Sequence, residues 1–344
     1  MREPDFWWRP GSGSLLSPLA GIYGAVAALR MRSPGRRVGV PVICLGNLTV
    51  GGAGKTPAAL AVGHLLLGAH QRPFFLSRGY GGRLAGPVRI DPAAHSAAAV
   101  GDEPLLLARL APTIVARDRL AGAKTARFGG ANVIVMDDGF QNPALAKDLA
   151  ILLVDGRRGI GNGRTIPAGP LRAPLEMQIA HAQALVVVGP PAGAAGAAGA
   201  AGTAAVAQLA RRHDVAIFHG RLEPDRHTLA ALGGRKVLAF AGIGDPEKFF
   251  ATLGDAGVAV AERASFPDHH RYTAAEAQAL IARADAADLV LLTTEKDLAR
   301  LAGDPRVAAL AARANALPVR LVIEEAEAFR DLILSVMKRS AQNS

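Results

Sequence analysis

A glycine-rich segment, LTVGGAGKTP from Leu48 to Pro57, constrains the fold of this chain more than any other feature. The apolar run VPVICLGN before it predicts a buried strand, and AALAVGHLLL after it predicts a helix. Gly51, Gly52 and Gly54 lack side chains, so successive backbone N–H groups of the loop can approach an anion closely. A strand, a glycine turn and a helix in this order predict a phosphate-binding loop.

The residues after the glycines fit the phosphates of a nucleotide. Lys55 would place its ammonium between the β- and γ-phosphates, and the Thr56 hydroxyl would bind Mg²⁺. The chain has Thr49 where the common pattern G-x-x-x-x-G-K-[ST] has glycine, which indicates a paired-glycine variant of the loop. A glycine turn that binds nothing is the weaker alternative, because strand, Gly-Lys-Thr and helix start coincide. We predict that the nucleotide contacts Thr49, Val50, Gly51, Gly52, Ala53, Gly54, Lys55 and Thr56.

The rest of the chain alternates short apolar runs with helix-compatible stretches. This alternation predicts an α/β fold, a P-loop NTPase-like and mostly parallel sheet with helices on both faces and ligands at the carboxyl ends of its strands. We predict an N-terminal segment at 1–36, a P-loop domain at 37–230, and a smaller α/β domain at 231–344 that contributes to a cleft. The uncharged tract PPAGAAGAAGAAGTAA predicts a flexible loop or a frayed helix without an assigned function.

Composition narrows the range of partners. The formal net charge of +10 over 344 residues favours an anionic partner such as nucleic acid, a membrane surface or a phosphorylated substrate. Aromatic residues do not interleave with the basic clusters, which disfavours a single-strand binder, and we predict no nucleic-acid partner. A general bias toward arginine is the alternative explanation for most surface arginines. Cys44 is the single cysteine, so no internal disulfide can form and we expect a cytosolic catalytic body.

An apolar segment near the N-terminus predicts contact with a membrane surface. Trp7 and Trp8 precede the run LLSPLAGIYGAVAALRM. The run is short for a full crossing, whereas an interfacial helix would keep the tryptophans at headgroup depth and the following arginines against anionic lipid. A cleaved signal peptide is disfavoured because a nucleotide site follows almost at once. A helix packed on the protein's own core stays open as an alternative. The basic cluster consists of Arg30, Arg32, Arg36 and Arg37.

Two pairs of carboxylates are candidates for phosphoryl-transfer chemistry. The run ANVIVMDDGFQ predicts a strand that delivers Asp137 and Asp138 to the sheet edge beside the phosphate loop, where one of them would hold Mg²⁺. Capping of the next turn is the alternative. The motif GDEP places Asp102 and Glu103 at a predicted helix start. Asp102 either caps that helix or accepts the proton of an alcohol substrate.

Histidines and arginines supply further candidates. The motif FPDHHRY contains His269 and His270, but cysteine or glutamate ligands at zinc spacing are absent, so we predict no zinc site. His269 could instead reach across the cleft to orient a carboxylate. Four arginines in glycine- and proline-rich loops suit phosphate recognition, with a solvated surface role as the alternative: Arg78, Arg83, Arg164 and Arg172.

Taken together, these motifs resemble those of the tetraacyldisaccharide 4′-kinases, the lipid A 4′-kinases of Gram-negative bacteria. The resemblance implies transfer of the γ-phosphate of ATP, with Mg²⁺, to the 4′-hydroxyl of a tetraacyldisaccharide 1-phosphate at the cytoplasmic face of the inner membrane. We predict no protein partner. The matching segments span most of the chain in the family's order and are GNLTVGGAGKTP, SRGYGG, GDEP, DDGFQ, NGRTIPAGPLRAP, FAGIGDPEKFF, FPDHH and TTEKD.

The resemblance also implies roles for individual residues. Asp102 corresponds to the family's general base and His269 to the partner of that base, and with Lys55 and Asp138 they form the predicted catalytic set. Thr56, Asp137 and Glu103 form the predicted metal set, without a decision on which carboxylate touches Mg²⁺ directly. Gln141 joins the nucleotide site. The predicted substrate contacts are Arg78, Arg164 and Arg172.

A membrane-associated P-loop NTPase switch is the alternative function from another class. The paired-glycine loop is compatible with such a switch, which would release phosphate to water and phosphorylate no metabolite. The fate of the γ-phosphate therefore distinguishes the two functions, because a kinase needs an acceptor.

Overall fold

The computed structural model describes residues 3–189 and 197–342, which form two β-sheets and the helices around them. The large sheet has nine strands in the order β13-β8-β7-β6-β1-β5-β2-β4-β3. Only the pairs at its two edges, β13 with β8 and β3 with β4, are antiparallel. Its strands are β1 (Val42–Asn47), β2 (Pro73–Ser77), β3 (Val88–Arg89), β4 (Thr113–Val115), β5 (Val133–Asp137), β6 (Leu149–Asp155), β7 (Ala184–Val188), β8 (Ala216–Pro224) and β13 (Val319–Ile323).

The small sheet is parallel throughout and has four strands in the order β10-β9-β11-β12. Its strands are β9 (Val237–Ala241), β10 (Val260–Ser265), β11 (Val290–Thr294) and β12 (Asn315–Leu317). The helices of the described chain are α1 (Ser17–Met31), α2 (Lys55–Gly68), α3 (Ala97–Val100), α4 (Asp102–Ala108), α5 (Arg119–Phe128), α6 (Leu175–Ala180), α7 (Ala197–Arg212), α8 (Arg226–Ala231), α9 (Pro246–Asp255), α10 (Ala274–Ala286), α11 (Glu295–Leu301), α12 (Ala308–Arg313) and α13 (Ala326–Gln342).

Helices cover both faces of each sheet. One face of the large sheet packs against α5, α6 and α7, and the other packs against α2, α4 and α13. Strands buried on both faces need continuous apolar sequence, which is why β1, β6 and β7 are apolar almost throughout. In the small sheet, α9 packs on one face, and α10 and α12 pack on the other. The predicted α/β class is confirmed.

The C-terminal segment returns to the large sheet. β13 pairs with β8, and α13 contributes Phe329, Ile333 and Val336 to the core around α2. The smaller domain predicted at 231–344 includes this segment. In the structure, the small sheet is inserted in the chain between β8 and β13 of the large sheet. An amphipathic strand and helix can pack on either sheet, so local pattern does not choose between the two.

The helix α1 lies on the surface with most of its apolar side chains exposed. It buries Ala20, Gly24 and Met31, and the Thr165 hydroxyl donates to the Ala20 carbonyl oxygen at 2.8 Å. In the described residues, Ser14–Met31 is the one helical span long and apolar enough to cross a membrane, and 17% of it is buried. This helix is compatible with membrane association.

The Ala/Gly tract is helical in the part that the structure describes. Residues 190–196 lie outside the described residues, and α7 begins at Ala197. The prediction of a flexible loop or frayed helix for the tract at 190–205 therefore stays a prediction at 190–196, whereas 197–205 belongs to the helix α7. A Cβ on Gly199 would lie 1.8 Å from the Arg157 carbonyl oxygen. Glycine at this position allows α7 to pack directly on the loop after β6.

Candidate active site

The phosphate loop lies between β1 and α2, as predicted. Gly51 and Gly54 adopt φ values of +105° and +90°, which favour glycine, and Gly54 directly precedes α2. A Cβ on Gly52 would meet open space, so the backbone is accessible there. The Asn47 side-chain amide donates to the Gly51 carbonyl oxygen at 2.7 Å and braces the loop. The loop therefore presents backbone N–H groups beside the positive end of a helix.

A second segment, residues 162–174, holds the phosphate loop from outside and is called the strap below. The Val50 N–H donates to the Pro170 carbonyl oxygen at 2.8 Å. Thr49 forms a β-bridge with Leu171, and the Arg172 Nε donates to the Thr49 carbonyl oxygen at 3.2 Å. Thr49 is not among the residues with positive φ. Its bridging backbone explains why the loop does not need the glycine of the common pattern here.

Gln141 supports the same loop from another side. Its amide Nε2 donates to the Asn47 carbonyl oxygen at 3.1 Å and to the Gln178 Oε1 at 2.9 Å. The structure therefore places Gln141 at the base of the phosphate loop, where its side-chain amide contacts Asn47 and Gln178.

Asp138 joins the charged groups of the site. Its carboxylate lies 3.3 Å from the Lys55 Nζ and 2.7 Å from the Arg172 Nη1. Burial alone would raise the pKa of Asp138, but the two cations lower it to about 2. Asp138 has a φ of +56°, which turns the chain directly after β5. The carboxylate therefore stays ionised and keeps the Lys55 ammonium beside the loop.

Asp137 and Thr56, like Asn47, carry buried oxygen atoms without a hydrogen-bond partner in the described residues. Within the described residues, both Asp137 carboxylate oxygens and the Thr56 hydroxyl are buried without a hydrogen-bond partner. Burial, together with the negative charge of Glu103, raises the pKa of Asp137 to about 7. Buried polar atoms are rarely left unpaired, and carboxylate and hydroxyl oxygens are the ligands that Mg²⁺ prefers. These residues fit a magnesium ion.

Glu103 lies at the start of α4 and lines the cleft between the two sheets. Its Oε1 accepts a hydrogen bond from the Lys296 Nζ at 2.6 Å. Burial alone would raise the pKa of Glu103, but the Lys296 ammonium holds it below its ordinary value. Glu103 is thus an ionised carboxylate near the Asp137 side chain, and its partner Lys296 belongs to the motif TTEKD at the start of α11.

Asp102 and His269 meet across the two sheets. The His269 Nδ1 lies 3.5 Å from the Asp102 Oδ2, and its Nε2 lies 3.7 Å from the Asp268 Oδ2. The Tyr80 ring packs against the imidazole at 4.8 Å between centroids. Burial alone would lower the pKa of His269, but the Asp102 carboxylate raises it. Asp102 does not cap α4, because its Oδ1 accepts only the adjacent Glu103 N–H at 2.9 Å.

A cavity of about 810 Å³ is lined by the phosphate loop, Asp138, Glu103 and His269, whereas the buried Asp102 and Asp137 are not part of its wall. One part of its wall is apolar and joins the two sheets through Leu222, Ile243, Phe249, Leu317 and Val319. Another part carries arginines and the α1 residues Tyr23 and Val26. The arginines that line the cavity are Arg30, Arg78, Arg117, Arg119 and Arg172.

The predicted arginines separate into two groups. Arg78 and Arg172 line the cavity, whereas Arg164 contacts the Ser17 Oγ at 2.5 Å, beneath α1. Arg119 was missed from the sequence, although it follows the strand run TIVARD at the carboxyl edge of the sheet. Arg119 is 3% exposed, and its Nε has no hydrogen-bond partner in the described residues. His270 lies apart from the cavity wall and contacts Glu276 at 3.0 Å.

Comparisons with known proteins identify the family of this chain. The profile of a family described as tetraacyldisaccharide-1-P 4′-kinase matches residues 13–338. Tetraacyldisaccharide 4′-kinases of Rhodopseudomonas palustris (strain BisB18) and Methylobacterium radiotolerans are each 54% identical to this chain, over 99% and 96% of it and 97% of each relative. The crystal structure of an "apo" form of LpxK from Aquifex aeolicus in complex with ATP superposes with a TM-score of 0.69 at 28% identity, covering 94% of this chain and 99% of that one. The chain therefore belongs to the tetraacyldisaccharide-1-P 4′-kinase family, as its motifs predicted.

Proposed function

We propose that the residues around the cleft divide the transfer of the ATP γ-phosphate to the 4′-hydroxyl of a tetraacyldisaccharide 1-phosphate into three tasks. The kinase activity itself follows from the family, and ATP and Mg²⁺ are its cofactors. The observation that carries the assignment of tasks is that the phosphate loop, Asp138, Glu103 and His269 line one cavity. The tasks are to hold the nucleotide, to neutralise the phosphates, and to orient the sugar hydroxyl.

The phosphate loop and Lys55 hold the β- and γ-phosphates. The exposed backbone at Gly52 and the start of α2 supply N–H donors, and Asp138 keeps the Lys55 ammonium in place. The apolar wall with Ile243 and Phe249 fits the adenine ring, because a flat apolar base needs an apolar surface. Removing Lys55 is expected to reduce activity at least as much as removing the general base, since charge neutralisation dominates in a loose transition state.

Thr56 and Asp137 would hold Mg²⁺, with Glu103 beside them. When bound, the ion neutralises charge on the β- and γ-phosphates. The support for this assignment is the pair of buried, unpartnered oxygen-bearing side chains described above. Glu103 is held by Lys296 in this structure, so its part in metal binding depends on exchange of that partner.

Asp102 accepts the proton of the sugar hydroxyl, and His269 orients the Asp102 carboxylate. Burial alone would raise the pKa of Asp102, but the His269 contact and the Arg300 charge outweigh it and hold this pKa well below its usual range, so the group is ionised at neutral pH. A carboxylate with so low a pKa is a weak base. Its position therefore matters more than its basicity, as expected for a loose phosphoryl-transfer transition state.

The arginine wall receives the 1-phosphate of the lipid substrate. Arg78 and Arg119 line this wall, and the Arg119 Nε is a buried donor without a partner in the described chain. A planar guanidinium matches a phosphate with two parallel hydrogen bonds. Arg172 is divided between this wall and Asp138. Arg164 would act on substrate only through α1, which it holds at Ser17.

The helix α1 rests on the cytoplasmic face of the inner membrane. Its exposed apolar side chains would enter the headgroup region, and the arginines that follow would face anionic lipid. Tyr23 and Val26 both belong to α1 and line the cavity, so a lipid substrate can enter the cleft from the membrane beside this helix. We propose neither a protein partner nor a nucleic-acid partner.

A transfer assay tests these roles. Detergent-solubilised disaccharide-1-phosphate lipid is incubated with ATP labelled on the γ-phosphate, using wild type, Lys55→Ala, Asp102→Ala and His269→Ala, with exposed Lys236→Ala as the control. We expect label in the lipid for wild type and control, loss with Lys55→Ala, and strong reduction with the other two. Wild-type transfer by Asp102→Ala would refute the assigned general base.

A further inference from the structure

Arg300 is a buried cation next to the general base, and none of the tasks above uses it directly. It lies on α11, in the part of the chain that carries the small sheet. Its side chain is 7% exposed. A buried guanidinium is costly unless its charge is paired, so the groups that it contacts indicate what it holds.

Arg300 makes the shortest contact to the carboxylate oxygen that His269 also faces. Its Nη2 lies against the Asp102 Oδ2 and its Nε donates to that oxygen at 2.6 Å, whereas the His269 Nδ1 is 3.5 Å from the same atom. The other carboxylate oxygen accepts the Glu103 N–H at 2.9 Å. The carboxylate is therefore held at both of its oxygens. Within the part of the chain that carries the small sheet, called the small-sheet unit below, Arg300 lies closest to Oδ2.

The guanidinium is itself held by a polar network at the carboxyl edge of the small sheet. Its Nη1 donates to the Asp297 Oδ1 at 2.8 Å and to the Gly242 carbonyl oxygen at 2.5 Å. Asp297 is completely buried and also accepts the Tyr272 hydroxyl at 2.9 Å. The same Gly242 carbonyl oxygen accepts the His269 N–H at 3.0 Å. One carbonyl group thus fixes both Arg300 and His269, the two residues that face the Asp102 Oδ2.

We infer that Arg300 is a positioning residue for phosphoryl transfer, which sets the orientation of the Asp102 carboxylate from the small-sheet unit. This inference rests on the proton-accepting role proposed for Asp102. Arg300 bridges Asp102, Gly242 and Asp297 at once, which needs the planar fork of a guanidinium. The ammonium of lysine keeps the charge but cannot reproduce the three directions of the fork. The fork, and not the charge alone, orients the base.

Steady-state kinetics with matched variants test this inference. Wild type, Arg300→Ala, Arg300→Lys and Arg283→Ala are compared for kcat and for the KM of ATP and of the lipid. Arg283 is the control, because it is an exposed arginine of the same unit that pairs with Glu262. Because a small displacement of a catalytic group costs on the order of 100-fold, we expect about that loss in kcat for Arg300→Ala. Both KM values should stay within about threefold, because the residue touches neither substrate.

Rescue separates positioning from a structural role. Arg300→Lys should have an intermediate kcat, and guanidinium added to Arg300→Ala at a non-denaturing concentration should raise kcat above that in sodium chloride of equal ionic strength. The inference is overturned if Arg300→Ala lowers only the melting temperature, raises KM alone, or keeps or increases kcat. If Arg300→Ala does not fold, Arg300→Lys and Arg300→Gln are measured in its place. A wild-type kcat in either folded variant overturns the inference that the guanidinium fork orients the base.

The control for the underlying role is Asp102→Asn. An inactive Asp102→Asn together with a fully active Arg300→Ala would overturn this inference and leave the general base in place. A fully active Asp102→Asn would remove the general base and this inference with it. The two failures are therefore distinguishable.

Discussion

Four exposed apolar side chains, three on α1 and one just before it, set the strength of the expected membrane contact. Leu15, Leu19, Ile22 and Leu29 are 95%, 57%, 65% and 68% exposed, and none of them lines the cleft. Full burial of one such side chain contributes roughly 2 kcal/mol, so immersion to about half of that gives about 1 kcal/mol each. Replacing all four by serine should therefore cost about 4 kcal/mol, or roughly a thousandfold in the membrane partition coefficient.

Sedimentation with anionic lipid vesicles measures this change. The control carries serine at Leu67 and Leu84, which are exposed apolar residues outside α1. The variant and the control should show the same melting temperature and the same kcat on detergent-dispersed lipid, because Tyr23 and Val26 of the cleft wall are retained. Only the α1 variant should lose vesicle binding.

An unchanged partition coefficient for the α1 variant would refute the reasoning. If vesicle binding instead disappeared in high salt while the serine substitutions had no effect, the arginines after α1 alone would hold the protein at the surface. A loss of binding in the control of the same size would show that the exposed area matters irrespective of the helix.

Three further predictions concern stability, measured by urea unfolding. Because the pKa of His269 is raised by Asp102, its stabilising contribution is complete below about pH 6.5 and is lost as pH rises through the higher folded value, so the difference between wild type and His269→Gln should shrink with rising pH. Lys296→Met should lower the free energy of unfolding by about 2 kcal/mol, a value between those of exposed and buried salt bridges. Adding Glu103→Gln should recover part of this loss, because the carboxylate left without its partner is then removed. Gly199→Ala should cost about 1–3 kcal/mol, because its Cβ would lie 1.8 Å from a carbonyl oxygen of the loop after β6.

The phosphate site was predictable because its parts are local in sequence. A strand, a glycine turn and Gly-Lys-Thr follow one another without interruption, and parallel pairing brings β5 beside β1. Asp137 and Asp138 therefore had to reach the edge beside Lys55. The different pKa values of the two carboxylates were not predictable, because they depend on which cations lie nearby. Asp138 contacts Arg172 and Lys55, whereas Asp137 has neither of them within hydrogen-bond distance.

The long-range contacts were not predictable from local pattern. Arg300 lies 198 residues from Asp102 and has the same local signature as any arginine in the last turn of a helix. The placement of β13 beside β8 has the same origin, because its apolar run fits an edge strand of either sheet. The family resemblance implied the partnership of Asp102 with His269 but not the network behind it.

The strap joins α1, the helix for which we propose membrane contact, to the phosphate loop. On one side, the Thr165 hydroxyl binds the Ala20 carbonyl oxygen of α1, and on the other the Pro170 carbonyl oxygen accepts the Val50 N–H, each at 2.8 Å. Gly24 of α1 also faces the Thr165 and Pro174 side chains of the strap, so the helix packs directly on it. Tilting α1 relative to the large sheet would break these contacts. A kinase whose substrate keeps its acyl chains in the bilayer needs such a fixed angle, because the 4′-hydroxyl must meet the γ-phosphate in line while the helix stays in the headgroup layer.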